Sequence, residues 1–119
     1  MKLQHMTIFS KDIDASVKFY QEVTGLTIAR EVRGGLHDVV FLNDGTQPFC
    51  LEIAQADDSM FYQGSGVSLG ITCDNLDAEI KRLKEMGIEA GEVISPHPGI
   101  RFFFINDPNG FMVQFVEEA

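Results

Sequence analysis

The chain has 119 residues, enough to bury a real core as one domain, while two half-length units would be small and would have to share that core. An apolar content of 45% and a charged content of 23% are those of a soluble globular protein, with no apolar run long enough to span a bilayer and no basic-then-apolar leader at the N-terminus. The formal charge of −9, from 18 acidic and 9 basic residues, argues against a nucleic-acid partner, which needs clustered Lys and Arg, and weakly favours a neutral or cationic ligand. Cys50 and Cys73 sit in apolar runs without metal-type spacing, which suits a reduced, cytoplasmic protein; a disulfide between them is the alternative.

In chain order, Leu3 to Phe9 alternates and reads as a strand. Ser10 or Asp12 can cap a helix in which Ile13, Val17, Tyr20 and Val23 recur at helical spacing, and Gly25 is its stop. Leu26 to Val32, Leu36 to Leu42 and Phe49 to Ala54 read as strands, separated by Gly34-Gly35 and Asn43-Asp44-Gly45 turns. A polar, Gly-containing linker over 57–65 follows. Val67 to Cys73 is a strand, and Asp74 or Asn75 caps a helix through Met86 that ends on Gly87. Ile88 to Ile94, Ile100 to Ile105 and Phe111 to Val116 complete the strands, with Asp107-Pro108-Asn109-Gly110 as the turn before the last.

The two halves repeat one another. Asp14-Ala15 matches Asp77-Ala78, Lys18 matches Lys81 and Glu22 matches Glu85, all at a single offset. Gly25 matches Gly87 at an offset one residue shorter, and that offset carries Phe49 to Ile53 onto Phe111 to Phe115. Each half is therefore a βαβββ module, about 1–56 and 66–119, within a single domain of α+β class. Strand alternation sends Met6, Ile8, Leu51 and Ile53 to the helix side and His5, Thr7, Cys50 and Glu52 to the other. In the second module it sends Ser68, Gly70, Met112 and Gln114 to the side opposite Leu69, Ile71, Val113 and Phe115. His5, Glu52, Ser68 and Gln114 are thus equivalent positions, expected to line one concave wall.

These segments resemble the vicinal oxygen chelate superfamily, which includes glyoxalase I, extradiol dioxygenases and bleomycin-resistance proteins. The carriers are Leu3 to Met6, Asp14 to Tyr20 with Thr24-Gly25-Leu26, Leu51-Glu52-Ile53, Asp74 to Asp77, and most specifically Phe104 to Gly110. The resemblance implies a cup-shaped mixed sheet with helices outside. It also implies a divalent ion (Zn, Ni, Mn or Fe) held by one residue from each of four strands, commonly His, Glu, His and Glu. Here His5 and Glu52 match that pattern, while Ser68 stands in place of the second His and Gln114 in place of the second carboxylate. A hydroxyl and a neutral amide are poor ligands, and losing the carboxylate removes the general base of glyoxalase-type chemistry.

The resemblance leads to two readings. The first is a bleomycin-resistance-type protein that binds a small molecule, as a homodimer and without the full metal site. The second is a glyoxalase I-like (lactoylglutathione lyase-like) enzyme in which His5, Glu52 and Gln114 hold a metal and Glu52 and Gln114 are catalytic. An extradiol dioxygenase is disfavoured because Ser68 breaks the required two-histidine, one-carboxylate set. His5, Glu52, Ser68, Gln114, Arg101 and Phe103 are the candidate ligand-binding residues, with Arg101 as an anion clamp and Phe103 as an apolar wall. His37 and His97 lie off the ligand positions, His97 in a loop between two prolines.

Overall fold

A computed structural model describes all 119 residues, which divide into two compact units, Met1–Gln63 and Gly64–Ala119. In the first, β1 (His5–Ser10), α1 (Ile13–Glu22), β2 (Thr27–Val32), β3 (Val39–Asn43) and β4 (Cys50–Gln55) form a four-stranded sheet in the order β1-β4-β3-β2. In the second, β5 (Ser68–Thr72), α2 (Leu76–Glu85), β6 (Ile94–His97), β7 (Ile100–Asn106) and β8 (Met112–Glu118) give the order β5-β8-β7-β6. The two orders are the same once the units are superposed in sequence. In each, the first strand runs parallel to the last, and the remaining pairs are antiparallel. This is the expected α+β architecture of two βαβββ repeats. No helix is long and apolar enough to cross a membrane.

Each helix covers one face of its own sheet. Ile13, Val17 and Tyr20 of α1 are buried, as are Ile8, Val40, Leu42, Leu51 and Ile53 on the strands, and α1 packs on β2, β3 and β4. In the second unit Leu76 and Leu83 of α2 are buried with Phe103, Ile105, Val113 and Phe115. The 3.6-residue period of the helices and the two-residue period of the strands thus put most of the expected core residues inside, while Met6, Leu69 and Ile71 are half-buried.

The helix starts share a device that runs through the sheet. Asp12 accepts from Ala15 N–H at 3.1 Å, and Asn75 accepts from Ala78 N–H at 3.0 Å, so of the expected caps Asp12 and Asn75 take the role. Ser10 bonds Ser16 (2.7 Å) and accepts from Asp12 N–H (3.1 Å), tying β1 to the helix start. The next free N–H in each helix is met from the end of the last strand. Gln55 Oε1 accepts from Ile13 N–H at 3.0 Å, and Glu117 Oε2 accepts from Leu76 N–H at 2.7 Å. Gln55 and Glu117 are repeat-related positions, so both copies pin the helix N-terminus to the same strand end. Gly25 (φ +75°) and Gly87 (φ +80°) both stop their helices in the left-handed region, where a side chain would be strained.

Three sequence expectations need correction. Strand β3 begins at Val39, not Leu36, because 33–38 form a turn in which Asp38 accepts from Gly34 N–H (3.0 Å) and pairs with Arg33 (3.4 Å). The segment from Ile88 to Val93 is not a strand. Gly91 there passes so close to β7 that a Cβ would lie 2.9 Å from Phe104 O, and strand β6 starts only at Ile94. His97 ends β6 rather than lying in a loop, with Nδ1 3.2 Å from Pro98 O. The expected linker is also partly anchored. Tyr62 N–H donates to Phe9 O at 2.8 Å, and Lys11 Nζ sits 3.9 Å from the Phe61 ring centre, so Met1–Gln63 is one unit. Cys50 and Cys73 are free thiols.

Glu117 gives a pH prediction. The Leu76 N–H, then the Arg101 guanidinium, hold its carboxyl below its ordinary value of 4.5. A depressed folded pKa adds stability above the unfolded pKa, and that stability is lost as pH falls through the folded value. Glu117→Gln keeps an acceptor for Leu76, as Gln55 does in the first unit, and removes only the charge. Thermal unfolding should show a lower Tm than wild type at pH 7, with the gap closing below about pH 4.5. A gap that stays constant from pH 7 to pH 3 would contradict the assignment.

Candidate functional site

The face of the first sheet turned away from α1 is built from one row of side chains across all four strands. The parallel β1–β4 register sets Thr7 opposite Glu52, β3 sets Phe41 opposite Glu52, and β2 sets Arg30 opposite Phe41. Arg30 reaches this face through a bulge. Ile28 pairs with Leu42 and Arg30 with Phe41, so Ala29 is an extra residue in β2. Without it Ala29 would face Phe41, and the guanidinium would point to the helix side.

Glu52 is the central group of the row. Its side chain is only 17% exposed, so its charge requires partners. Thr7 Oγ1 donates a short hydrogen bond to Glu52 Oε1. His5 Nε2 lies 4.0 Å from the same oxygen, an electrostatic contact rather than a hydrogen bond. His5 Nδ1 is 3.1 Å from Gln4 Oε1, and Nε2 is the ring nitrogen that faces Glu52. The His5 ring meets Phe41 edge-on, with centroids 6.1 Å apart.

Beside this row lies a pocket of about 250 Å³, lined by Gln4, His5, Ala29, Arg30, Phe41, Pro48 and Cys50. Glu52 does not line it. Arg30 sits over the Phe41 ring, 4.4 Å from guanidinium carbon to centroid, a cation–π seat that fixes the head group at the pocket wall. The pocket therefore offers an apolar body, one cation and the polar atoms of His5 and Gln4.

In the second unit, Ser68 and Gln114 stand where expected, on the sheet face away from α2. Gly70 pairs with Gln114, Ser68 pairs with Met112, and Phe104 lies opposite Gln114 on β7. Gly70 makes room for the amide, since a Cβ there would come within 3.3 Å of Gln114 Oε1. The turn that starts this strand is held by Asp107, whose carboxylate accepts from Asn109 N–H (2.7 Å) and Phe111 N–H (2.9 Å). That is the physical content of the Asp107–Gly110 motif.

Two expected ligand residues stand elsewhere. Phe103 is fully buried on the helix side and stacks on Phe115 with centroids 5.2 Å apart, because neighbouring strand residues point to opposite faces. Phe102 and Phe104 carry the aromatic surface of the other face. Arg101 is on the helix side too, paired with Glu117 at 3.1 Å and Asp77 at 3.3 Å. These two carboxylates occupy it, and the pairs secure α2 to the sheet. His37 Nδ1 is 3.1 Å from Gln55 O. Thr7, Phe41 and Arg30 were missed. Alternation already placed Thr7 beside His5, but only the bulge puts Arg30 there.

As a metal centre the donor set is incomplete. No group of three or more His, Cys, Asp and Glu side chains in either unit is arranged to hold an ion. His5 and Glu52 are two good donors, and the repeat-related positions supply only a hydroxyl and a neutral amide. These residues do not fit the four-ligand metal site that the resemblance implies.

The chain matches the family described as Glyoxalase/Bleomycin resistance protein/Dioxygenase superfamily over residues 2–115. It is 26% identical to the uncharacterized protein YwbC of Bacillus subtilis over 122 residues, covering 98% of this chain and 97% of YwbC. Among solved structures it is similar to TnmS3, an antibiotic binding protein from Streptomyces sp. CB03234, with a TM-score of 0.81, 18% identity and coverage of 100% and 97% of the two chains. It is also similar to the trypanothione-dependent glyoxalase I of Leishmania major, with a TM-score of 0.80, 20% identity and coverage of 99% and 87%.

Gly70→Ala tests the packing of Gln114. A flexible amide can shift by a few tenths of an ångström, so the variant should stay within about 1 kcal/mol of wild type in denaturant unfolding. The Gln114 side-chain amide signals should move in a two-dimensional NMR spectrum. Unmoved signals would show that the amide points away from Gly70.

Proposed function

Because this chain belongs to the Glyoxalase/Bleomycin resistance protein/Dioxygenase superfamily, we propose that it is a small-molecule-binding member that takes its ligand on the sheet face carrying His5 and Glu52, without a full metal centre. The observation that carries this reading is the state of Glu52. Its half-buried carboxylate is met by Thr7 and His5 from within the same unit, and no third acidic, thiol or imidazole group stands with them. The Thr7 hydrogen bond offsets part of the cost of holding that charge on the sheet face and fixes its position beside the ligand. The roughly 250 Å³ pocket next to His5 supplies the apolar volume such a ligand needs. Ser68 and Gln114 are the corresponding ligand-facing positions of the second unit.

A metal-dependent lyase is the competing reading. The one feature in its favour is the approach of His5 Nε2 to Glu52 Oε1, 4.0 Å apart, which puts two good donors side by side. It lacks a second carboxylate to move a proton next to a carbonyl, and Gln114 has no proton to accept or give at neutral pH.

The two readings separate cleanly in an untagged preparation made without chelator. Elemental analysis should find no stoichiometric metal, and calorimetric titration with Ni, Zn and Mn should give no one-to-one isotherm. Stoichiometric metal that disappears in Glu52→Ala would overturn the metal-free reading.

A further inference from the structure

The pocket in the first unit carries the opposite sign of charge to the protein as a whole. The chain has four arginines in a background of −9. Three of them are committed to carboxylates. Arg33 pairs with Asp14, Glu31 and Asp38, Arg82 with Glu79, and Arg101 with Asp77 and Glu117. Arg30 alone has no carboxylate within ion-pair distance. It is laid on the Phe41 ring at the pocket wall instead. With twice as many acidic as basic residues available, an arginine kept clear of all of them is a departure from the pattern of its neighbours. The β2 bulge at Ala29 is what brings it to this face. Bulges of this kind re-aim single side chains, often beside sites.

We propose that Arg30 is the recognition group for the carboxylate of a small acid whose apolar body fills the pocket against Ala29, Pro48 and Phe41. The claim rests on the small-molecule-binding reading above and gives that ligand its chemical class. The guanidinium presents a planar fork that fits a carboxylate through two parallel N–H donors, a charge-assisted pairing that a cation lacks and a single neutral carbonyl makes only in part. The Phe41 seat holds the fork in one orientation and lowers the entropy lost when it binds. His5, also in the lining, adds a polar atom for a second group on the ligand. Glu52 lies outside the pocket lining, where Thr7 donates to it. The overall negative charge slows the approach of an anion, and added salt should speed it.

Benzoate, benzamide and benzylamine share a ring and differ in the charge of the substituent, so they serve as probes. Each is titrated into isotopically labelled protein and followed by amide NMR shifts at His5, Ala29 and Phe41. Benzoate should bind in preference to the other two, with a Kd of about 1 mM or tighter. Arg30→Gln should weaken benzoate about tenfold or more and leave benzamide unchanged, and Arg30→Lys should fall between. Lys18→Gln, on an exposed helix position, removes the same charge elsewhere and should change nothing. The carboxylate assignment is overturned if benzoate fails to bind at about 10 mM, or binds Arg30→Gln as well as wild type. It is overturned equally if benzylamine is preferred; binding of that probe, or of benzamide, at the same residues would leave the small-molecule reading standing. A broad panel of neutral, cationic and anionic compounds that moves none of these signals would sink both.

Discussion

The structure of the first unit depends on how a carboxylate is kept in a nearly buried strand. Glu52 sits between Leu51 and Ile53, both in the core, in a strand flanked on both sides. A charge there is costly unless it is hydrogen-bonded. The parallel β1–β4 register removes the problem, because it sets a threonine hydroxyl opposite the carboxylate and an imidazole two residues away on the same face. A slip of one residue would turn Thr7 and His5 to the helix side, leave Glu52 alone and expose Met6 and Ile8. The apolar pattern and the polar row therefore specify the same register.

The two halves of the chain have diverged unevenly, and the uneven loss separates scaffold from site. The scaffold elements are kept in both copies: the strand order, the helix stops at Gly25 and Gly87, the caps at Asp12 and Asn75, and the sheet-to-helix bond from Gln55 or Glu117. The open-face positions are not kept. His5 and Glu52 correspond to Ser68 and Gln114, and the hydroxyl and amide need far less compensation than a charge does. In the second unit the glycine at position 70 gives space to the amide, whereas in the first unit Thr7 gives a hydrogen bond to the carboxylate. Each copy accommodates its own residue by a local change on the neighbouring strand.

Much of this could be read from residue types and spacing. The period of two in Met6–Ile8 and Leu51–Ile53, the helix signals around Asp12 and Asn75, and the internal repeat together pointed to both modules and to the open sheet face of each, with His5 and Glu52 in the first and Ser68 and Gln114 in the second. What could not be read depended on departures from regular geometry or on partners distant in sequence. Alternation alone puts Arg30 with Ile28, and only the extra residue at Ala29 reverses it. The Phe102-Phe103-Phe104 run has no apolar–polar contrast, so its phase came from the pairing with Val116, Phe115 and Gln114. Arg101 is an unremarkable strand arginine until Glu117 and Asp77 are brought to it by the antiparallel partner and the helix. The Ile88–Val93 segment has strand-like composition, but Gly91 must pass against the β7 backbone where a regular ladder does not form.

The central claim is that His5 and Glu52 serve a ligand face as a protein-internal pair and do not form the core of a metal centre. The most direct measurement is the nitrogen-15 spectrum of the His5 imidazole, read together with the Glu52 carboxylate carbon, before and after stoichiometric zinc. The account predicts that neither the His5 Nε2 signal nor the Glu52 carboxylate signal moves. A new, slowly exchanging pair of signals at His5 Nε2 and Glu52, growing in proportion to added zinc, would contradict it.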